Sequence, residues 1–522
     1  VDIVSVSFCI FENENNIFRY FGKNRKMRKD LINMEYWREA HLLPLLCPTD
    51  AFYVKYARKI RDKIRKADFE RKLSPDDMTE IALTLTYYLE DVVSGLGVWR
   101  SFVLEHQRMY GRFLPFYETR EDNYYIDEVN EADVCFLIWM TFQKRNNGMI
   151  VNPENSYMQK LAHEIFLTFD EDFEQLPINS ELLEAMQKPV LYKDFYNLKT
   201  LMVQVCCMSY LFYYFTAQHR SRVLNFVKHI VGEGQPLSVI EYMVESFLGV
   251  YEKTGPLSLK PQVWISRMLE QWGMKEEEEA VSQMEAKELQ PYLIVECDEQ
   301  KLLLEDWQQQ RFELELADML QVDPKMVARQ KVMLGSIVQY KGKWYPNGGV
   351  SWLPGDAKFT KFKEQKLRIR TQNEHITQKV MELNGQSPFL FFEDYNTMKL
   401  WMDEHLKEET QASSILNDGE KHDEEKNIVV FVSPETGLLV LPGGACCIKH
   451  KDNPYYLPAE AGVYAVRVLF DPHFSSPEMV RCLVQENLLP DAALYSEISE
   501  ERGKQLLQDN LDFLLRTIRS DF

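Results

Sequence analysis

Two adjacent acidic residues are the first candidates for chemistry in this sequence. Glu90 and Asp91 lie in the last turn of a predicted helix, just before Ser94 and Gly95. Carboxylates at that end face the partial negative charge of the helix dipole, which costs up to about 1 kcal/mol. A cationic partner or a bound ligand would offset this cost. The pair is therefore either an acidic catalytic site or a charge-paired, solvated helix corner.

Basic side chains on the next predicted helix are the expected partners of this pair. Arg100, His106 and Arg108 follow closely enough in sequence for that helix to turn back toward Glu90 and Asp91. Four further acids in the same helical region could enlarge the acidic group: Asp127, Glu128, Glu131 and Asp133. Ion-pair networks perturb acids as readily as catalysis does, so the pattern favours the structural interpretation.

A second pattern, Glu315 to Leu334, resembles a helix-turn-helix. Val322 would lie in the turn, Asp323 and Pro324 would cap the second helix, and Val327 would be its core residue. Gln321 in place of the usual turn glycine counts against this interpretation, as do the acids of the first helix. The predicted nucleic-acid-binding residues are Lys325, Arg329, Lys331, Lys341 and Lys343.

Basic and acidic residues around this pattern lie in separate parts of the chain. Eleven lysines and arginines occur from Lys325 to Arg370, against Asp356 and Glu364 as the acids. A predicted β-hairpin at 337–353 stands where a wing would follow a recognition helix, and positive charge is what phosphate contact requires. The alternative is that this basic block docks onto the acidic stretch 270–318 of the same chain.

Motifs of known enzymes and metal sites give no further candidate. The sequence contains no Walker A loop, no G-x-S-x-G, no H-E-x-x-H and no E-x-x-H. Cys446, Cys447 and His450 are poor zinc ligands because adjacent cysteines suit one tetrahedral ion badly, and two packed thiols in a strand are the favoured interpretation. The sequence therefore predicts no metal and no cofactor, and it favours a protein that is not an enzyme.

Composition places the chain among globular proteins. Its 522 residues are 45% hydrophobic and 27% charged, and the net charge is −20. This excludes collagen-like, disulfide-scaffold and wholly disordered classes, and the acidic balance repels nucleic acid and anionic membranes. The apolar stretch Leu201–Ala217 predicts a buried helix and no membrane contact. Nine cysteines without a C-x-x-C pair favour free thiols and a cytoplasmic protein.

The predicted fold class is mainly α, with an all-helical N-terminal domain followed by a smaller α+β C-terminal part. Apolar residues at helical spacing begin at Met34, and strand patterns first appear near residue 337. Helix signals at Leu302–Leu320 suggest a helix in the acidic part. The predicted segments are 1–33 (an extension outside the domain, with Met27 or Met34 as alternative starts), 34–272 (helical), 273–320 (acidic linker or helix), 321–406 (basic α+β), 407–427 (flexible loop) and 428–522 (α+β).

Several stretches resemble an uncharacterised bacterial family that is typical of gut anaerobes, the domain of unknown function DUF3843. They are Glu35–Ile60, Tyr87–Phe102, Glu105–Tyr117 and Asp127–Trp139. The resemblance is clearest over residues 34–145, and the family begins near Met34. It implies a cytosolic bacterial protein, and it carries no activity, ligand or catalytic residue to this chain.

Taken together, these patterns predict a soluble cytoplasmic protein that acts by binding. A protein partner is the first interpretation, and nucleic acid bound through a winged-helix-like segment at 313–370 is the second. An enzyme with an acidic site around Glu90 and Asp91 is the third.

Overall fold

The computed structural model describes residues 5–7, 32–43, 45–68, 72–145, 150–231, 236–319, 324–406, 426–519 and 521–522. The chain divides into two compact units, Val1–Phe359 and Thr360–Phe522. The predicted extension at 1–33 lies mostly outside the described residues, as does nearly all of the predicted loop at 407–427. Within the former, Ser5–Ser7 forms a short strand.

Helices build most of the first unit. They are α1 (Met34–Ala40), α2 (Asp50–Ala67), α3 (Pro75–Ser94), α4 (Val98–Tyr110), α5 (Glu131–Gln143), α6 (Ser156–Asp172), α7 (Ser180–Leu191), α8 (Phe195–Met208), α9 (Tyr213–Val231), α10 (Leu237–Val250), α11 (Pro261–Gln271), α12 (Lys275–Ser282) and the single turn α13 (Pro324–Val327). The helix predicted to carry Arg100, His106 and Arg108 is confirmed as α4.

Local sequence signals explain the bounds of α3, which carries the acidic pair. Ser74 caps its first turn by accepting a hydrogen bond from the Asp77 amide, and Asp77 in turn accepts from the Ser74 amide. Pro75 occupies the first helical position, where its missing N–H costs nothing. Gly95, with φ of 64°, ends the helix in the left-handed conformation that glycine adopts without strain.

The apolar stretch Leu201–Ala217, predicted as one buried helix, is broken. The helix α8 ends at Met208, α9 begins at Tyr213, and the two axes differ by 101°. The Ser209 hydroxyl accepts from the Phe212 amide in the intervening turn, which offers the backbone an alternative to the helical bond. Among the described residues, no single helix is long and apolar enough to cross a membrane; α8 and α9 meet that test of length and composition when joined across the bend.

A mixed sheet completes the first unit. Its strands are β1 (Ser5–Ser7), β2 (Glu285–Ala286), β3 (Gln290–Cys297), β4 (Lys301–Glu305), β5 (Arg311–Glu315), β6 (Val332–Gly335), β7 (Ile337–Tyr340), β8 (Lys343–Pro346) and β9 (Val350–Leu353). The spatial order is β1-β9-β6-β3-β4-β5-β8-β7-β2. The β5–β8 pair is parallel, and the other pairs are antiparallel.

The predicted helix at Leu302–Leu320 in the acidic segment 273–320 is wrong, and with it the helix-turn-helix. This region forms β4, β5 and a short 3-10 turn at Leu316–Asp318. Leu302 and Leu304 are buried, as are Phe312 and Leu314, whereas Leu303 is partly buried and Glu313 is exposed. That alternation has the period of a strand with one face in the core. The segment predicted as the recognition helix forms the one-turn helix α13.

The second unit is a three-stranded sheet between helices. Its elements are α14 (Ala357–Leu383, which begins before the division), β10 (Phe389–Asp394), α15 (Tyr395–His405), β11 (Lys426–Ser433), β12 (Gly437–Leu441), α16 (Ala461–Phe470), α17 (Pro477–Gln485) and α18 (Glu500–Ile518). The central strand is β11. Val430 packs with apolar residues of α14 and α15, and Phe431 packs with those of α16 and α17. The α+β character predicted for the C-terminal part is confirmed.

The fold class is confirmed as mainly α, with helices concentrated in the N-terminal half and sheets in the C-terminal half. The sheet that follows the helices starts at Glu285, ahead of the first predicted strand near residue 337. The strands between Glu285 and Glu315 were not predicted, because their many acidic residues suggested a linker or a solvated helix.

Candidate functional site

The acidic pair Glu90 and Asp91 lies inside the helical core. Their side chains are 1% and 2% exposed. Immediately after them the chain reverses: α3 ends at Gly95, the Leu96 amide donates to the Asp91 carbonyl, and α4 starts at Val98. This tight connection directs the N-terminus of α4 back toward the end of α3, which places three backbone N–H donors beside Asp91.

The Asp91 carboxylate caps α4. It accepts hydrogen bonds from the amides of Gly97 at 2.8 Å, Val98 at 3.1 Å and Trp99 at 2.6 Å, and from the Tyr210 hydroxyl at 2.9 Å. Burial raises the pKa of Asp91 to about 6, and these four donors oppose that rise. The cost predicted for a carboxylate at the end of α3 is thus offset by the positive end of α4.

Glu90 pairs with residues that are remote in sequence. Its Oε2 atom lies 2.8 Å from His41 Nε2, and its Oε1 atom accepts from the Asn179 side-chain amide at 2.7 Å. His41 lies in the loop after α1, and Asn179 caps α7 by accepting from the Leu182 amide. Glu90 therefore ties α3 to two other segments of the domain.

The partners predicted for the acidic pair are wrong. Arg100 pairs with Asp127, and Arg108 lies 3.8 Å from Glu105. The Nδ1 atom of His106 lies 2.7 Å from the Arg112 carbonyl oxygen. Residues on α4 point away because the helix presents its N-terminal amides, and not its side chains, to the end of α3.

The four additional acids do not join the pair. Asp127 pairs with Arg100, Glu131 lies 3.1 Å from His163, and Glu128 is exposed. Asp133 is buried and accepts from the hydroxyls of Tyr88 at 2.5 Å and Tyr124 at 2.8 Å. Burial raises the pKa of Asp133 to about 7, against the opposing effect of these hydroxyls.

His41 is held between two acceptors. Its Nδ1 atom lies 3.2 Å from the Leu43 carbonyl oxygen, and because a carbonyl only accepts, Nδ1 carries a proton. Burial alone would lower the pKa of His41, but the Glu90 carboxylate outweighs burial and raises it above its usual value. The raised pKa favours the protonated imidazole, whose partner inside the protein is the Glu90 carboxylate.

Asp50 brings a third charged group to this place. It accepts from Trp37 Nε1 at 3.2 Å and from the Cys47 amide at 2.9 Å. One ligand atom from each of His41, Asp50 and Glu90 lies within 4.8 Å of the other two, and all three residues are buried. We call these three residues the His41 cluster. Sequence reasoning missed His41, Asp50 and Asn179, because no local spacing joins them to Glu90.

A small cavity borders the cluster. Its interior volume is about 20 Å³, and it is lined by His41, Leu42, Tyr87, Glu90, Asp91, Leu96, Val98, Ser209 and Tyr210. This volume holds one water molecule and no organic substrate. Cys47, buried nearby, is a poor nucleophile because burial and then Asp50 raise the pKa of its thiol to about 11.

The predicted nucleic-acid-binding residues do not share a recognition helix. Lys325 lies exposed in α13, Arg329 and Lys331 are exposed in the connection to β6, and Lys341 lies in the β7–β8 turn over the Tyr340 ring. Lys343 is 2.7 Å from Glu315 and 2.8 Å from Asp318. The contacts of Lys343 match the alternative in which basic residues pair with the acidic stretch of the same chain.

The adjacent cysteines of the second unit lie in a 3-10 turn at Gly444–Cys447, and not in a strand as predicted. Both are buried, and burial raises the pKa of Cys447 to about 12. The thiols therefore stay protonated and packed.

A family model described as "Protein of unknown function (DUF3843)" matches residues 32–313 and 347–519. The chain belongs to the DUF3843 family. The comparisons with curated proteins and with solved structures find no match. The His41 cluster and Asn179 lie within the first range matched to DUF3843, whereas the five predicted nucleic-acid-binding residues lie between the two ranges. The cluster is therefore part of the region that defines the family match.

Proposed function

We propose that this protein is a binding protein that docks a partly apolar, positively charged segment of another protein. The observation that carries the proposal is a group of exposed apolar side chains next to the closed His41 cluster. Leu46 is 64% exposed and Ile178 is 65% exposed, and Leu45 and Phe52 are more than one third exposed. We call these four residues the Leu46 surface.

Two contacting segments present the Leu46 surface. The Tyr53 hydroxyl donates to the Pro177 carbonyl at 2.7 Å, and the Cys47 thiol interacts with the Asn179 side chain. Leu46 precedes Cys47, and Ile178 lies between Pro177 and Asn179. Apolar side chains on neighbouring segments favour contact with another protein when they stay in water in the isolated chain.

The charge of the molecule favours a basic partner. The net charge is −20, so two copies repel each other, and a positively charged segment is attracted. Glu181, exposed in the first turn of α7, lies close enough to contribute to the raised pKa of Cys47. An acidic residue beside apolar side chains suits a partner that carries lysines or arginines beside its own apolar residues.

A catalytic role has less support. The buried acids Glu90 and Asp91 have their hydrogen-bond donors in place, and the cavity beside them admits one water molecule. The buried, hydrogen-bonded side chains of the His41 cluster favour a docking surface that is already formed in the free protein. Such a surface loses little entropy on binding.

The test is a binding titration with a defined probe, a fluorescein-labelled amphipathic helical peptide of leucine and lysine. We expect the full chain to raise its anisotropy and the double variant L46D/I178D to bind about tenfold more weakly or worse. The matched control is L400D, since Leu400 is 71% exposed on α15 in the second unit and should leave binding unchanged.

Two results would overturn the proposal. Equal binding by L46D/I178D and the wild type would place the peptide elsewhere. Sedimentation showing a dimer that L46D/I178D abolishes would assign the Leu46 surface to a second copy of this chain.

A further inference from the structure

We propose that the His41 cluster binds one zinc ion, with His41 Nε2, an Asp50 oxygen and a Glu90 oxygen as its ligands. The residue types are those that zinc takes in sites with three protein ligands and one water molecule. This site is independent of the Leu46 surface, and either proposal can fail without the other.

Distances between the ligand atoms fit one ion. The three atoms lie within 4.8 Å of one another, and His41 Nε2 and Glu90 Oε2 are 2.8 Å apart. A tetrahedral zinc with bonds of about 2.0–2.2 Å needs ligand atoms about 3.3–3.6 Å apart. Zinc binding therefore requires the His41 and Glu90 side chains to move slightly apart.

Hydrogen bonds from neighbouring groups orient each of the three ligand side chains for metal binding. The Nδ1–H of His41 faces the Leu43 carbonyl, which leaves Nε2 pointing at Glu90, as in histidines that ligate metals. Asn179 donates to Glu90, and Trp37 and the Cys47 amide donate to Asp50. Hydrogen-bonded carboxylates and an oriented imidazole are what the outer shell of a zinc site provides.

Charge balance favours a divalent ion. Asp50 and Glu90 bring two carboxyl groups into one buried place. Among the described residues, neither Asp50 nor Glu90 forms an ion pair with a lysine or arginine. A divalent zinc ion with two carboxylate ligands and one neutral imidazole ligand carries no net charge, which suits a low-dielectric interior.

Space for a fourth ligand is present. The cavity of about 20 Å³ borders His41 and Glu90 and holds one water molecule. Zinc with one water and three protein ligands completes a tetrahedron, and no sulfur ligand is needed.

The test starts with zinc content. The tag-free full chain is incubated with zinc, dialysed and analysed by inductively coupled plasma mass spectrometry. We expect about one zinc per chain in the wild type and less than about one tenth in E90Q. D133N is the matched control, because Asp133 is also buried and hydrogen-bonded but lies outside the cluster, and it should keep its zinc.

X-ray absorption at the zinc edge tests the ligands directly, whether or not E90Q folds. We expect nitrogen and oxygen neighbours at about 2.0–2.2 Å, with the signature of one imidazole. Sulfur neighbours at about 2.3 Å would assign the metal to cysteines and overturn the proposal, as would zinc-free wild-type protein or full zinc retention by E90Q.

Discussion

The Nε2 atom of His41 lies 2.8 Å from the Oε2 atom of Glu90, 49 residues further along the chain. This buried ion pair joins the loop after α1 to the last turn of α3, and Asn179 adds the start of α7 through Glu90 Oε1. Next to it, Asp91 caps α4. The acidic pair at the end of α3 thus holds three segments and one helix terminus in place behind the Leu46 surface.

Removing His41 should cost much more stability than removing an exposed histidine. His41→Ala leaves Glu90 buried without its charge partner, which costs about 3–5 kcal/mol. His163 pairs with Glu131 while both side chains are more than 40% exposed, so His163→Ala should change stability by about 0–1 kcal/mol. Urea unfolding in EDTA measures both values. Similar losses in the two variants would contradict the buried ion pair.

Asp91→Ala should weaken the start of α4. The substitution leaves three backbone amides and the Tyr210 hydroxyl without their acceptor, at a cost of about 2–4 kcal/mol. Asp194 caps α8 with a single backbone contact, to the Asn197 amide, so Asp194→Ala should cost about 1 kcal/mol. Unfolding free energies that reverse this order would show that Asp91 does not cap α4 as described.

The turn between α8 and α9 is predicted to be part of the core. Leu211 and Phe212 are fully buried, and the Phe212 ring packs 4.9 Å from that of Trp264. Replacing either by alanine should cost about 2–5 kcal/mol. Tyr213→Ala is the control, because Tyr213 is 50% exposed. Thermal or urea unfolding checks this, and wild-type stability in both core variants would contradict the packing of the turn.

Asp133 should make stability depend on pH. Burial raises its pKa from 3.8 to about 7, so the folded state holds a proton that the unfolded state has lost. Folding stability from this group is therefore fully present below pH 3.8 and is lost as pH rises through about 7.

The amide introduced by D133N cannot lose a proton, so this variant should gain stability relative to the wild type between about pH 4.5 and 7.5, by about 2–4 kcal/mol. Urea unfolding at several pH values measures this difference. D127N, which changes an exposed carboxylate, should follow the wild-type pH profile. A D133N profile parallel to that of the wild type would mean that Asp133 does not titrate in this range.

Local signals in the sequence predicted much of the fold. The predicted helix that ends before Gly95 is confirmed as α3, and the helical spacing of apolar residues that begins at Met34 is confirmed by α1, which starts there. Near Phe312 the alternation of apolar and acidic residues is a strand signal, but the density of acids suggested a solvated helix. The sequence did not predict the break after Met208, because the stretch Leu201–Ala217 is apolar on both sides of the break.

Long-range pairing explains what the sequence could not predict about the site. The sequence identifies Glu90 as a carboxylate opposed by the helix dipole, yet its partners His41 and Asn179 are 49 and 89 residues away. Neither lies at a spacing that a helix or a strand would bring together. The side chains of α4 were nearer in sequence, but the direction of that helix turns its amides toward Asp91 instead.

Hydrogen–deuterium exchange with the leucine–lysine peptide tests the docking claim most directly. Addition of the peptide to the full chain should slow exchange in the backbone of residues 45–53 and 177–184, which carry and flank the Leu46 surface, and L46D/I178D should lose that protection. Protection confined to other segments, or protection of these segments that persists in L46D/I178D, would contradict the account.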